Sequence, residues 1–365
     1  MHYLEMSYLV FERTKELVSK YFYILYSEME GLIPVFYIQY EKDLKKKFKY
    51  LALEAKREGF LPLLRQKDEY LVIKVVPFKA KRRNPKTALI LFAATFFTVL
   101  IDGFIRASDR FLPEIIGEVN VPLMTISYTV ALLAVIGVHE MGHKIASMIH
   151  QVKTSLPYFI PALPGIGIGG TFGAVILQEE PPTNKDELFD IGLSGPIFGF
   201  IATIAVTLVA AKISGVVSVK QLKQWTQQGY SFTVIPTPLL MTLIFSYYSP
   251  LPGPDYMYYL HPLAFVSWAG FIITALNLFP VWQLDGGHVI RALLGPKKAR
   301  ILSILSVILM AALGYWFMAL VLLLFMMMGG KPVEPLDNVT PLSLSRKLLI
   351  LGYIIILILC LPLPW

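Results

Sequence analysis

Apolar and polar positions change character at about residue 80. Before it they are interleaved: Leu44, Phe48, Leu51, Ala52 and Ala55 recur at helical spacing within Glu41 to Gly59, where Gly59 ends the pattern. Leu32 to Gln39, Phe60 to Arg65 and Tyr70 to Pro77 read as strands, and a further helix is expected over Glu12 to Tyr26. Residues 1–78 therefore predict a small α/β domain outside the lipid. Beyond residue 86 the pattern becomes long apolar runs: Thr87 to Ile105, Val121 to about His150, Ile191 to Ala211, Pro262 to Leu284, Ile301 to Met328 and Leu348 to Pro364. A crossing helix needs about 20 apolar residues, so these predict about six transmembrane helices. Ile235 to Ser249 is shorter and opens Ile-Pro-Thr-Pro, which suits an interfacial or re-entrant piece better than a crossing.

Composition agrees: 55% of the 365 residues are hydrophobic and only 16% charged, outside the range of soluble domains. The fold class expected is an α-helical polytopic membrane protein with a soluble N-terminal α/β domain at 1–78, a basic linker at 79–86 and a membrane domain at 87–365. Residues 1–78 balance 13 basic against 11 acidic residues, and the net charge of +8 is mild. Basic residues cluster beside apolar runs, which implies contact with the lipid bilayer and no nucleic-acid partner. Five positive charges in Lys79 to Lys86, just before the first run, mark the cytosolic side. With six crossings the cytosolic flanks hold 12 basic residues and the outer flanks, with 331–347 counted among them, hold 8. The acidic residues among the first thirty fit neither a signal nor a transit peptide, so the N-terminus is expected to be cytosolic. The lone cysteine, Cys360, excludes an intramolecular disulfide.

The uncharged run Val121 to Val138 ends in His139-Glu140-Met141-Gly142-His143. On a helix, positions i and i+4 share a face, so both imidazoles can hold one metal ion while Glu140 reaches a water beside it. A catalytic zinc takes three protein ligands and leaves the fourth position to water, so a third ligand is required. Asp285 is the candidate: it follows the fourth run in Asn277-Leu-Phe-Pro-Val-Trp-Gln-Leu-Asp285-Gly286-Gly287-His288, where Pro280 breaks the helix and the glycines let the chain turn. His139 lies about 27 Å along an inward-running second span, near the cytosolic face. With the third span returning and the fourth running inward, Asp285 arrives at the same depth. A crossing at Ile235 to Ser249 would put it on the wrong side.

The intramembrane HExxH, the distant Asn-x-x-Pro-x-x-x-Leu-Asp-Gly-Gly and the Gly195-Pro196 step resemble the site-2 protease family of intramembrane zinc metalloproteases, over about residues 87–300. The resemblance implies one Zn2+ per chain on His139, His143 and Asp285, Glu140 as catalytic base, and Asn277 at the active site. Trp282 stands where many members have a second proline. In this the chain is similar to the branch with plant plastid members, whose Pro-x-x-Gln-Leu-Asp-Gly-Gly pattern it shares. No PDZ-like or nucleotide-sensing module is recognisable in the N-terminal part.

The expected activity is hydrolysis of a peptide bond in or near a transmembrane segment of single-span membrane-protein substrates, with the active site toward the cytosol. A helical substrate hides its carbonyls and must unwind, so an exposed strand edge is needed to hold it. Gly169 to Ile176 is the candidate, with Gly170, Thr171, Phe172 and Gly173 as substrate-binding residues. His150 lies too far beyond His143 to share the ion, His261 marks a membrane boundary, His288 reads as a polar loop residue, and Asp102 as an ion-pair partner of Arg106. Two other classes fit some of these features. A transporter or channel would use Glu140 and Asp285 as carrier groups, but no internal repeat supports it. A silent zinc-binding membrane sensor would have no need of Glu140.

Overall fold

The computed structural model describes residues 2–80, 83–328 and 333–362. Helix α1 (His2–Ser19) leads into strands β1 (Ile24–Glu30) and β2 (Ile33–Ile38), helix α2 (Leu44–Arg57), and strands β3 (Phe60–Lys67) and β4 (Tyr70–Pro77). The strands form one antiparallel sheet in the order β1-β2-β4-β3. The five apolar positions of α2 singled out by their spacing are the ones it buries, against Leu17 and Val18 of α1 and Phe36, Leu64 and Ile73 of the sheet. Two-residue turns join β1 to β2 and β3 to β4, with Gly31 and Asp68 at positive φ. The helix expected to reach Tyr26 stops at Ser19. Residues 24–30 instead pair with β2, Tyr26 opposite Tyr37 and Glu28 opposite Val35, a long-range pairing that helical spacing in one segment does not register. Of the basic linker, Lys81 and Arg82 lie outside the described residues.

Next come α3 (Pro85–Ala107), the short α4 (Leu112–Ile116), α5 (Val121–Ile149), the hairpin β5 (Tyr158–Pro161) and β6 (Thr171–Val175), and α6 (Lys185–Ile213). Asn84, Asn120 and Asn184 cap the three long helices by accepting from backbone N–H groups of their first turns. These three helices are long and apolar enough to cross a membrane. Strands β7 (Gly215–Ser218) and β8 (Tyr256–Tyr259) pair around α7 (Val219–Gln227) and α8 (Leu239–Tyr248). At ten residues α8 is about 15 Å long, half of what a bilayer core requires.

The remaining helices are α9 (Pro262–Leu278), α10 (Asp285–Leu294), α11 (Pro296–Ala312), α12 (Trp316–Met328) and α13 (Leu344–Cys360). Two apolar runs are broken. The fourth ends as a helix at Leu278, because Pro280 offers no N–H and residues 279–284 turn back beneath α9. The fifth divides at Leu313 to Tyr315, where Gly314 takes φ +87°, a break that hydropathy alone does not reveal. Of the sixth run, residues 363–364 lie outside the described residues.

One placement overturns an expectation. The segment before α13, assigned to the outer side on a six-crossing count, packs against the N-terminal sheet: Leu64 N–H donates to Leu336 O (3.0 Å), and Leu336 joins the core of that sheet. Leu336 and Asp337 N–H also donate to Pro182 and Thr183 O at the start of α6 (3.0 and 2.8 Å). The far end of α13 meets α8, where Leu239 N–H donates to Leu361 O (3.1 Å). Helix α13 thus runs parallel to α6, and α11 and α12 return the chain to the side from which they began. Helix α6 is the central element, packed on α5, α9 and α10.

Candidate metal and active site

His139 and His143 lie one turn apart on α5, both buried, and Asp285 opens α10 from the other half of the chain. Their atoms converge: His139 Nε2 and His143 Nε2 are 3.2 Å apart, and each is 3.2 Å from Asp285 Oδ2. An equilateral triangle of that edge accepts an ion at bonds of about 2.0–2.1 Å, with ligand–ion–ligand angles of about 100° and the fourth tetrahedral direction open. The donor set points the same way. His143 Nδ1 lies 2.7 Å from the Ile191 carbonyl, which only accepts, so Nδ1 carries the hydrogen and Nε2 presents a lone pair to a carboxylate oxygen. With both Nε2 atoms unprotonated, three acceptors face one another at 3.2 Å, an arrangement suited to a cation between them. The three residues are the group that can hold a metal among the described residues.

Glycines make this convergence possible. A methyl group on Gly195 of α6 would lie 2.1 Å from His143 Nε2, and one on Gly199 would lie 3.0 Å from His139 Nδ1. Gly142 meets the Ser194 carbonyl in the same way from α5, and Gly192 leaves room for His288 and the Asp285 carbonyl. A methyl on Gly286 or Gly287 would fall 2.2 Å from the carbonyl oxygen of Leu278 or Val281, so both glycines are needed for α10 to start against the turn that precedes it. That turn is further held by Ser303, whose hydroxyl donates to the Pro280 carbonyl.

Glu140 follows His139 and is also buried, against the backbone of Ile176 just past β6. Asn277, in the last turn of α9, brings Nδ2 to 3.3 Å from His139 Nε2, so it joins the cluster. The structure thus gathers His139, Glu140, His143, Asn277 and Asp285 from three helices. Residues 127–321, which include all five, match the profile of peptidase family M50. The chain belongs to that family.

Among family relatives, it is 26% identical over 329 residues to "Probable zinc metalloprotease EGY2, chloroplastic" of Oryza sativa subsp. indica, covering 83% of this chain and 55% of the relative. It is 28% identical over 306 residues to "Probable zinc metalloprotease EGY1, chloroplastic" of Arabidopsis thaliana, covering 76% and 52%. The chain spans about half the length of the curated relatives it matches. No solved structure matches it significantly. The resemblance to plant plastid members of the family, drawn from the Asp285 motif, holds.

Gly170 to Gly173 fall on the β5–β6 hairpin. Gly170 (φ +83°) backs onto the Thr98 carbonyl of α3, where a methyl group would lie 2.6 Å away, and Thr171 is fully buried, donating to Ile160 O (2.8 Å). Phe172 is 61% exposed and Gly173 faces open space. Strand β6 pairs with β5, and Thr171 at its start also takes the Ile168 N–H (2.9 Å); beyond Thr171 no further strand pairs with it among the described residues. Of the remaining residues, Asp102 is bound to Arg106 (2.6 Å) as expected, and also takes the Tyr128 hydroxyl (2.6 Å). His261 caps α9, and His288 Nδ1 donates to Leu284 O (3.1 Å). His150 is bound to Asp190 (2.8 Å), a partner the sequence reading missed. The glycine face of α6 was also missed, although glycines at 192, 195 and 199 in an apolar helix are a signal for close helix packing.

Proposed function

We propose that this protein is an intramembrane zinc metalloprotease that hydrolyses a peptide bond in or near a transmembrane segment of single-span membrane-protein substrates. The observation that carries the reading is the three-way convergence of His139, His143 and Asp285 beside a buried Glu140. These three side chains would hold the ion, one Zn2+ per chain. When bound, zinc supplies a Lewis acid that acidifies water and polarises a carbonyl. Glu140 takes the proton of the attacking water and returns it to the leaving amine, and its burial keeps that proton from bulk solvent. The Asn277 amide, at the edge of the cluster, is placed to donate to the carbonyl oxygen of the scissile bond. Ile191 O holds His143 in one tautomer.

A substrate segment unwound from its helix needs partners for its backbone, and the part of β6 beyond Thr171 that no second strand pairs would offer them next to Ile176 and Glu140. In this reading Gly170 and Thr171 shape the hairpin, while Phe172 and Gly173 lie along the strand that the substrate meets.

We infer five crossings, α3, α5, α6, α9 and α13, with α11 and α12 as a hairpin that does not cross. Seventeen residues, the length of α9 and α13, is the lower limit for a span. The N-terminal sheet, the metal site and the start of α13 then share the cytosolic side. Moving Arg346 and Lys347 to that side, with Lys331 left uncounted, turns the 12-to-8 tally into 14 to 5, a stronger inside bias than six crossings give.

The test uses purified wild-type and Glu140→Gln protein with a panel of single-span substrates, counting zinc in both. Equal zinc with cleavage only by the wild type is the expected result. Cleavage by Glu140→Gln at the wild-type rate refutes the reading, and ion-coupled flux without cleavage would favour a transporter.

A further inference from the structure

Helix α6 meets the metal-binding part of α5 through Gly195 and Gly199, which seat the His143 and His139 rings, while Gly192 faces His288 and Asp285 of α10. Seats of this kind permit close approach and leave little bulk between the helices, so polar contacts at the end of the interface carry weight in fixing axial register. Two polar rungs lie there. His143 Nδ1 donates to the Ile191 carbonyl (2.7 Å), and His150, two turns further along α5, bonds through Nε2 to Asp190 Oδ2 (2.8 Å). Asp190 directly precedes Ile191, so fixing its carboxylate fixes the carbonyl that orients His143.

Asp190 is itself gripped from a third element. Arg346, in the first turn of α13, donates Nε to Oδ1 (2.8 Å) and Nη2 to Oδ2 (2.5 Å), a two-pronged fork that constrains both position and plane. Through Nη1 the same guanidinium reaches Asp186 (3.3 Å), whose carboxylate also binds Lys45 of α2 (2.6 Å). Asp190 has no part in the chemistry assigned above. An ordinary ion pair at a helix end would explain its contacts but not its place beside Ile191.

We propose that Asp190 is a positioning residue: clamped by Arg346 and His150, it sets the register of α6 and with it the Ile191 carbonyl that aims His143 at the metal. This rests on the metal-site reading given above. It also assigns a role to α13, which lies outside the HExxH and Asp285 elements.

The experiment measures Zn2+ affinity of the purified full-length chain by competition with a chromophoric chelator, the visible spectrum of the Co2+-substituted protein, and kcat and KM on a cleavable single-span substrate. For Asp190→Asn we expect zinc affinity to fall about 10- to 100-fold, the Co2+ spectrum to shift, and kcat to fall with KM near wild type. Arg346→Lys keeps the charge but loses the fork, and should fall in between. Wild-type affinity and spectrum in Asp190→Asn would overturn the proposal. If Asp190→Asn does not accumulate as folded protein, Arg346→Lys decides by the same readouts, with wild-type values again overturning it. A wild-type chain that binds no zinc, or Asp285→Ala binding it as tightly as wild type, would instead refute the metal-site reading and this proposal with it.

Discussion

Replacing Gly195 with alanine adds one methyl group on a helix that supplies no metal ligand, yet it should disable the site. The new Cβ would stand 2.1 Å from His143 Nε2, 2.4 Å from Cε1 and 2.5 Å from Cδ2, whereas ordinary contact begins at 3.4 Å. The ring, or α6 as a whole, must move by about 1.3 Å to relieve it. That is a large fraction of the 3.2 Å edge shared by the three ligand atoms. Overpacking of this size costs about 1–3 kcal/mol, and a misplacement of about 1 Å at a reacting group costs on the order of 100-fold in rate. Gly199→Ala supplies a graded comparison: its Cβ would lie 3.0 Å from His139 Nδ1, so a shift of about 0.4 Å suffices and activity should stay within about tenfold of wild type. Gly352→Ala on α13 meets open space and should leave zinc content and rate unchanged. Zinc per chain and cleavage of a single-span reporter, measured on all three variants alongside the wild type, give the order. Full zinc occupancy and full activity in Gly195→Ala would show that the helix contact is not what shapes the site.

Several other outcomes are expected. Glu140→Gln should keep zinc near one per chain and lower cleavage by a factor of about 100 to 10,000, the range of a lost general base, whereas His139→Ala and Asp285→Ala should lose the ion itself, as metal analysis would show. Lys49→Met removes the Nζ that lies 2.9 Å from Oε1 of the almost fully buried Glu187, an oxygen with no hydrogen-bond partner, and so takes away the carboxylate's counter-charge; a loss of about 1–3 kcal/mol, read as a lower Tm, is expected, and an unchanged Tm would count against the ion pair. Tyr353→Phe removes a hydroxyl that donates to the Leu278 carbonyl where α9 ends, and should cost about 1 kcal/mol with some loss of zinc affinity. For topology, Ser345→Cys and Gly253→Cys should label from opposite faces of sealed vesicles, the native Cys360 being buried and silent; labelling of both from one side would refute five crossings.

Much of this protein could be read without coordinates. Helical spacing in Glu41 to Gly59 located α2 and its buried face, because a 3.6-residue period is a local property of the chain. The i, i+4 histidines and the Asp285 motif nominated the three side chains that converge within reach of one ion, because a helix fixes the first pair and a carboxylate after an apolar run has few other uses. Features that depend on distant partners were not legible. Residues 24–30 became a strand only because β2 needed a neighbour, and the fifth run broke at Gly314 where length and hydropathy allowed one helix. The side on which residues 333–347 lie was decided by the hydrogen bonds of Leu336 to β3 and to the start of α6, against a charge count too even to choose. In the same way sequence could nominate His139, His143 and Asp285 as ligands, while only the packing of a glycine face and the tether at Asp190 determine how closely they converge. Spacing along one chain constrains direction within an element, but the distance between elements is set by what fills, or leaves empty, the space between them.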